Sequence, residues 1–373
     1  MSINADIDTG SQIASLLEDR NECNICNGLM HETHSIIQRI RETLSNDFHF
    51  DTFLIGATLP TNLFEKEDQI RARFKIRGRE NIKSQLIKNL RKKFSEATKK
   101  QIDFLHPDLT INLQFRKDTG LDIDIKMRPL IILGRYIKKN RGIPQRSGCE
   151  HNNPNKINVQ REAYPLVNIA PQRASAICTL EDTSIQSLIS KEILRITKGE
   201  GLKFSWIGSE DENSLVLGSG RPFFVQIRNP KIIHLNDRRL NFPRYGLLVS
   251  FEQIFDKLPE QPIQFIAKTK IVIRASRHVG KEEALKIKSL AGSVVIFRNQ
   301  KKKFKSSEKR IYSLDIVKIS NEIFELHVVA DGGLAIKQFV EGREYTSPNI
   351  STAANLQCEC LLFDILDVCI KAY

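Results

Sequence analysis

No apolar run in the 373 residues approaches the roughly 18 that a membrane helix needs. Met1 to Glu18 carries Asp6, Asp8 and Glu18 without a basic head or an apolar centre, so neither membrane insertion nor secretion is expected. Cysteine is scarce and odd in number: Cys23, Cys26, Cys149, Cys178, Cys358, Cys360 and Cys369 make no disulfide framework for a chain this long. A reducing, cytoplasmic compartment follows. No stretch repeats at a fixed period. What is present is ample core material, 40% apolar against 27% charged residues, which argues against a disordered chain. The length suggests two or three domains.

Acidic residues are the other shortage. Asp and Glu number 44 against 57 Lys and Arg, a net charge of +13 and a pI near 9.4, so a polyanionic partner is expected. Glu65 to Lys100 holds 13 basic residues and 5 acidic ones, and Lys126 to Arg146 holds 7 basic and none acidic. A third run, Arg298 to Arg310, groups Lys301, Lys302, Lys303 and Lys305 around Phe304 and reads as an exposed basic loop. Any one run can be a solvated face, and none has the full apolar face of a membrane-surface helix.

Ile36, Ile37, Ile40 and Leu44 have helical spacing within Glu32 to Ser45, Thr52 to Ala57 reads as a strand, and Glu80 to Phe94 as a basic amphipathic helix. Leu121, Ile123, Ile125 and Met127 alternate with polar residues, with Leu109 to Phe115 as the expected partner strand. Arg146 to Arg161, rich in asparagine, reads as a linker. Asp182 can cap a helix bearing Ile185, Leu188, Ile189, Ile193 and Ile196. Strands are expected at Pro222 to Arg228, Ile311 to Ile319, Ile323 to Val329 and Cys358 to Ile370, and Cys358, Cys360 and Cys369 are expected to fill a core.

Three segments go beyond pattern. Arg128 to Gln145 runs from an apolar strand into Gly134, Arg135, Tyr136 and a basic turn through Lys138 and Arg141 to Gly142, where glycine beside guanidinium suits close approach to phosphates. Gly208 to Phe223 is an acidic turn that passes Gly218 and Gly220 into Arg221 and an apolar strand. Gly332 to Asn349 reads GGLAIKQFVEGREYTSPN.

In this order the segments resemble the archaeal and eukaryotic tRNA pseudouridine synthases of family ten, over almost the whole chain. Gly134 to Gln145, GRYIKKNRGIPQ, is the most specific match; LGSGRPF at Leu217 to Phe223, and IKQFVEG with TSPNIS, are the others. Phe53 to Lys83, with Gly56, Pro60, Glu67, Asp68, Arg71, Phe74, Lys75, Gly78, Arg79, Glu80 and Lys83, is similar to the family's THUMP segment.

The resemblance implies an α+β protein. Residues 1–150 would form a THUMP-like RNA-binding domain, and residues 165–373 a pseudouridine synthase domain on a mixed, mostly antiparallel sheet. It implies isomerisation of uridine in the TΨC arm of tRNA, uridines 54 and 55, by a monomer that needs no organic cofactor. Asp211 falls on the family's catalytic Asp, although Glu210 and Glu212 beside it leave open a plain loop carboxylate. Lys270, Lys337 and Arg221 would bind substrate, and Arg71, Arg73, Lys75, Arg79, Arg135, Tyr136, Lys138 and Arg141 would bind RNA. Ser209 stands where the family has Arg, Lys270 where it has Tyr, and Ala335 where a Tyr precedes the Lys337 position. A catalytically impaired tRNA-binding or tRNA-folding protein on the same scaffold is the alternative, and a general RNA chaperone or ribosome-associated binder a more remote one. Cys23 and Cys26 match the family's first zinc half-site; Cys149 and His151 could complete a four-ligand set, against free thiols and a surface His.

Overall fold

Apolar residues three and four apart make Thr33–Thr43 (α1) an amphipathic helix with Ile36, Ile37 and Ile40 buried. The computed structural model describes residues 25–26, 28–44, 48–77, 80–116, 120–146, 183–233, 235, 238–298, 306–342 and 346–371. The chain continues through Thr52–Thr58 (β1), Thr61–Arg73 (α2), Ile82–Thr98 (α3), Gln101–Ile102 (β2), Leu109–Arg116 (β3) and Gly120–Met127 (β4). The expected basic helix is α3. It starts where the Asn81 side chain accepts from the Ser84 N–H at 2.8 Å and ends where Lys99 turns left-handed at φ 58°.

These elements build a four-stranded sheet in the order β2-β1-β3-β4, with β1 parallel to both neighbours and β3 antiparallel to β4. Phe53 and Ile55 of β1 pack with Leu86, Leu90 and Phe94 of α3, all fully buried, and the Phe53 and Phe94 rings meet edge-on at 4.7 Å. The described residues of Met1–Leu130 form this compact unit together with those of Ile196–Gly201 and Ile227–His234. The two later segments are tied in by hydrogen bonds that the sequence does not announce: Lys231 N–H donates to Thr197 O, and Met127 N–H to Asn229 Oδ1 at 2.7 Å.

The second unit comprises the described residues of Ile131–Arg195, Leu202–Gln226 and Leu235–Tyr373. Its elements begin with Leu130–Lys138 (β5), Ile185–Thr197 (α4), Gly201–Trp206 (β6), Val216–Arg228 (β7), Arg239–Phe242 (β8) and Leu247–Phe255 (β9). Phe265–Ala275 (β10), Lys281–Lys288 (α5), Val294–Arg298 (β11), Ser306–Ser320 (β12) and Ile323–Asp331 (β13) follow. Ile336–Glu341 (α6), Thr346–Ser347 (β14), Ile350–Ala354 (α7) and Cys358–Ile370 (β15) complete it. The strands form one sheet, β14-β11-β12-β13-β10-β15-β7-β5-β9-β8, with β6 attached to β7. β15 runs parallel to β7, while β10 pairs antiparallel with both β13 and β15, and β5 antiparallel with β9, so the sheet is mixed and mostly antiparallel as expected. Ile271, Ile273, Phe324, Leu326, Phe339 and Ile350 are among the fully buried residues of its core.

Gly218 and Gly220 let β7 thread between its neighbours. Both have positive φ, 59° and 83°. A Cβ on Gly218 would run into the Leu366 carbonyl of β15, and one on Gly220 would lie 2.7 Å from the Tyr136 carbonyl of β5.

Several expectations change. β5 is hydrogen-bonded into the second sheet, so the second unit starts at Ile131, within the span assigned to the RNA-binding domain. Arg298 ends β11 and Ser306–Arg310 opens β12, so the flanks of the third basic run are strand, while 299–305 lie outside the described residues. All of the expected linker except Arg146, and Asp182, lie outside them too. Cys358 and Cys360 are buried in the core, whereas Cys369 is exposed. No helix among the described residues is long and apolar enough to cross a membrane.

Candidate active site

Ile207 to Leu215 links β6 to β7, and two of its three consecutive carboxylates, Glu210 and Asp211, face different surroundings. The Glu210 side chain is fully buried: Tyr136 Oη and Arg221 Nε donate to its Oε2 at 2.8 and 3.1 Å, and Lys138 Nζ lies 3.1 Å from Oε1. Asp211 lines a cavity of about 440 Å³ together with Arg221, Lys337, Phe265, Thr269 and Phe363. Its Oδ2 accepts from Lys337 Nζ at 2.8 Å and its Oδ1 from the Asn213 N–H at 3.2 Å. The hydrogen bond from Lys337 is the largest influence on Asp211. Burial opposes it, but with the Asn213 amide and the nearby Lys337 and Lys138 charges the carboxyl is held below its ordinary value. Lys337 is correspondingly raised, first by its bond to Asp211. This is an ionised pair at the wall of an otherwise mostly apolar pocket.

The strand β5 and the turn after it hold this loop from beneath. Lys138 is fully buried and its Nζ donates to three carbonyls, Ile143 O, Asp211 O and Glu212 O, at 3.1 to 3.3 Å. Gln145 Nε2 donates to Tyr136 Oη at 2.9 Å. Tyr136 is held well above the ordinary phenol range, by burial first and by the Glu210 charge second, and stays a proton donor. Arg141 donates to Asn213 O and clamps Asp364 with both terminal nitrogens, at 2.7 and 2.9 Å. Burial pushes the Asp364 carboxyl up, but Arg141, the Leu215 amide and Lys270 outweigh it and leave it lowered.

The structure thus brings together Asp211, Lys337 and Arg221 around one cavity. Lys270 is near but turned elsewhere: its Nζ lies 3.4 Å from Asp364, and its neighbour Thr269 lines the cavity instead. The placement of Tyr136 and Lys138 on an RNA-binding surface is corrected, because both are fully buried and bonded to the Glu210 loop. Gly134 likewise packs against the Phe223 ring and meets no open surface. Arg135 is mostly covered, with Nε 2.9 Å from Glu252 and Nη1 on the Val368 carbonyl, and Arg141 is taken up by Asp364.

In the first unit, Arg71 is bonded to the buried Glu67, while Arg73 and Lys75 are exposed at the end of α2. Arg79 lies outside the described residues, as do Cys23, Cys149 and His151. Cys26 is buried in the core of the first unit, and no group of His, Cys, Asp and Glu among the described residues could hold a metal.

Glu210 and Asp364 are the organising residues that sequence reasoning missed. Asp364 had a readable signal, a carboxylate inside the apolar run Leu361 to Leu366 of an internal strand.

The chain matches the model of the Pus10 C-terminal domain over residues 131–369 and that of the archaeal Pus10 THUMP domain over residues 36–114. It is 30% identical over 366 residues to the tRNA pseudouridine synthase Pus10 of Nitrosopumilus maritimus, covering 97% of this chain and 89% of that one. It is 26% identical to the protein of the same name from Cenarchaeum symbiosum, covering 94% and 82%. A chain of a solved Cbf5-Nop10-Gar1 complex aligns over 48% of this chain and 44% of its own at 11% identity, with a TM-score of 0.31, too low to carry an argument.

Proposed function

The chain belongs to the Pus10 family, and from that premise we propose that it isomerises uridine to pseudouridine in tRNA, with Asp211 as the reacting carboxylate. The TΨC arm, uridines 54 and 55, is the proposed target. The observation that carries the reading is the Asp211–Lys337 pair, brought from 126 residues apart to the wall of one cavity.

The reaction breaks the bond from ribose C1′ to uracil N1 and makes one from C1′ to C5; N1 gains a proton and C5 loses one. No atom is added or removed, so neither an oxidant nor an organic cofactor is needed. The base must first leave the RNA stack. Phe265, Phe363, Ala330 and Leu334 offer it apolar walls that exclude water. Asp211, kept ionised by Lys337, presents a carboxylate to the cavity that can attack the sugar or take a proton from it. Arg73 and Lys75 are proposed to hold phosphates.

Incubation with unmodified tRNA transcript followed by pseudouridine mapping tests the reading. Asp211→Asn should eliminate product while tRNA binding stays within a few fold, and Glu212→Gln should change little. A wild-type protein that binds tRNA and makes no pseudouridine would leave a tRNA-binding scaffold in place of a synthase.

A further inference from the structure

The basic segment after β5 looks, by composition, like a phosphate grip, yet its central lysine never reaches solvent. We infer that Lys138 is a positioning residue for Asp211, acting through the backbone of the loop that carries it; this rests on the reading that Asp211 is the reacting carboxylate. A fully buried lysine is costly unless its donors are satisfied. Lys138 Nζ faces Glu210 Oε1, Ile143 O, Asp211 O and Glu212 O, all within 3.3 Å. Two of those acceptors are the carbonyls of Asp211 and of its successor, so the side chain pins the two peptides that flank Glu212, the first of them directly after Asp211. Two further donors complete the grip: Gly142 N–H on Glu212 O, and Ser214 N–H on Asp211 O, each at 3.0 Å. The Asp211 side chain leaves this fixed backbone toward Lys337 and the cavity.

Charge neutralisation alone does not explain the lysine. Glu210 already has Arg221, itself 2% exposed and bonded to the same carboxylate, as well as the Tyr136 hydroxyl. Besides its contact with Glu210 Oε1, Lys138 supplies a set of three carbonyl contacts that Arg221 and Tyr136 do not. Removing it therefore loosens the loop, while Tyr136 and Arg221 still hold the carboxylate through Oε2. A misplacement of about 1 Å at a reacting group can cost about 100-fold in rate.

The experiment uses the full chain with Lys138→Met, an isosteric stem without donors. The expected result is a fall of about 100-fold in single-turnover pseudouridine formation at saturating protein, with tRNA affinity within about threefold of wild type. Amide hydrogen exchange should quicken at Gly142 and Ser214 and stay unchanged at Ile271 and Phe324 in the core. A folded variant with wild-type rate, or with unaltered exchange at those two amides, overturns the inference. Should Lys138→Met fail to fold, Lys138→Gln, which keeps one donor group, is read by the same measurements. A wild type that makes no pseudouridine would sink the proposed reaction, and the exchange readout would then decide on its own whether Lys138 holds the loop.

Discussion

The two most basic stretches of the chain, residues 65–100 and 126–146, are alike in composition and opposite in fate. In the first, helical spacing sends one face of α3, Leu86, Leu90 and Phe94, into the core and leaves Lys88, Lys92 and Lys93 exposed. In the second, Tyr136 and Lys138 fall on the covered side of an internal strand, and the turn after it turns Arg141 onto Asp364. A run of positive charge therefore predicts an RNA surface only where the local period can deliver it to solvent.

The sharpest way to break the contrast is to remove the buried partner. Glu210→Ala leaves Lys138 and Arg221 buried without their carboxylate, and should destabilise the second unit by roughly 3–5 kcal/mol, read by denaturant unfolding. Arg141→Ala should cost less, about 2 kcal/mol, because Lys270 still faces the buried Asp364. The Glu210→Ala loss should persist at every salt concentration, as expected for a carboxylate that water and ions do not reach, whereas the Arg141→Ala loss should shrink somewhat in high salt because that guanidinium is partly exposed.

Lys337→Met probes the exposed edge of the same cluster. Its loss removes the largest influence lowering Asp211, so the carboxyl pKa rises toward its ordinary value and the acid limb of the pH–rate profile should move to higher pH. The stability sign follows. A carboxyl whose folded pKa is depressed contributes stability above its unfolded value, near pH 4, and loses it as the pH falls through the folded value. Wild type and variant should therefore differ in stability at neutral pH and converge in acid.

The smallest structural effect is expected in the first stretch. Lys88→Ala with Lys92→Ala should leave the melting temperature unchanged and weaken tRNA binding in low salt. The slope of log affinity against log salt should flatten by at most about 2, one phosphate contact per residue. A large loss of stability there, with no change in salt dependence, would reverse the comparison.

Much of the fold was legible because local period and burial agree. Cys358 to Ile370 is the strand β15, and Thr33–Thr43 is the helix expected from Ile36, Ile37 and Ile40. The site was legible only as positions. Asp211, Arg221 and Lys337 could be named by resemblance, but their pairing spans up to 126 residues and no local pattern encodes it. The side chains of β5 were readable and went unread: alternation places Gly134, Tyr136 and Lys138 on one face, and a tyrosine sharing a face with glycine inside an apolar strand signals burial for the lysine too. The separation of Glu210 from Asp211 could not be read at all, since which carboxylate turns inward is decided by Arg221 on the next strand and by Tyr136 and Lys138, more than 70 residues away.

The parallel seam between β7 and β15 has a consequence for the order in which the molecule acquires its chemistry. Val216 pairs with Ile365, Leu215 N–H donates to Asp364 across 149 residues, and Arg141 reaches the same carboxylate across 223. Contacts so far apart close late, after the loops between them have paid their entropy. A chain halted before Cys358 would carry every residue of the Asp211 loop and Lys337 besides, but not the strand that joins β7 to β10 and so brings the two sides of the cavity together. Competence for the reaction thus arrives with the last strand, which supplies Phe363 and Ile365 to the cavity and closes the sheet between β7 and β10.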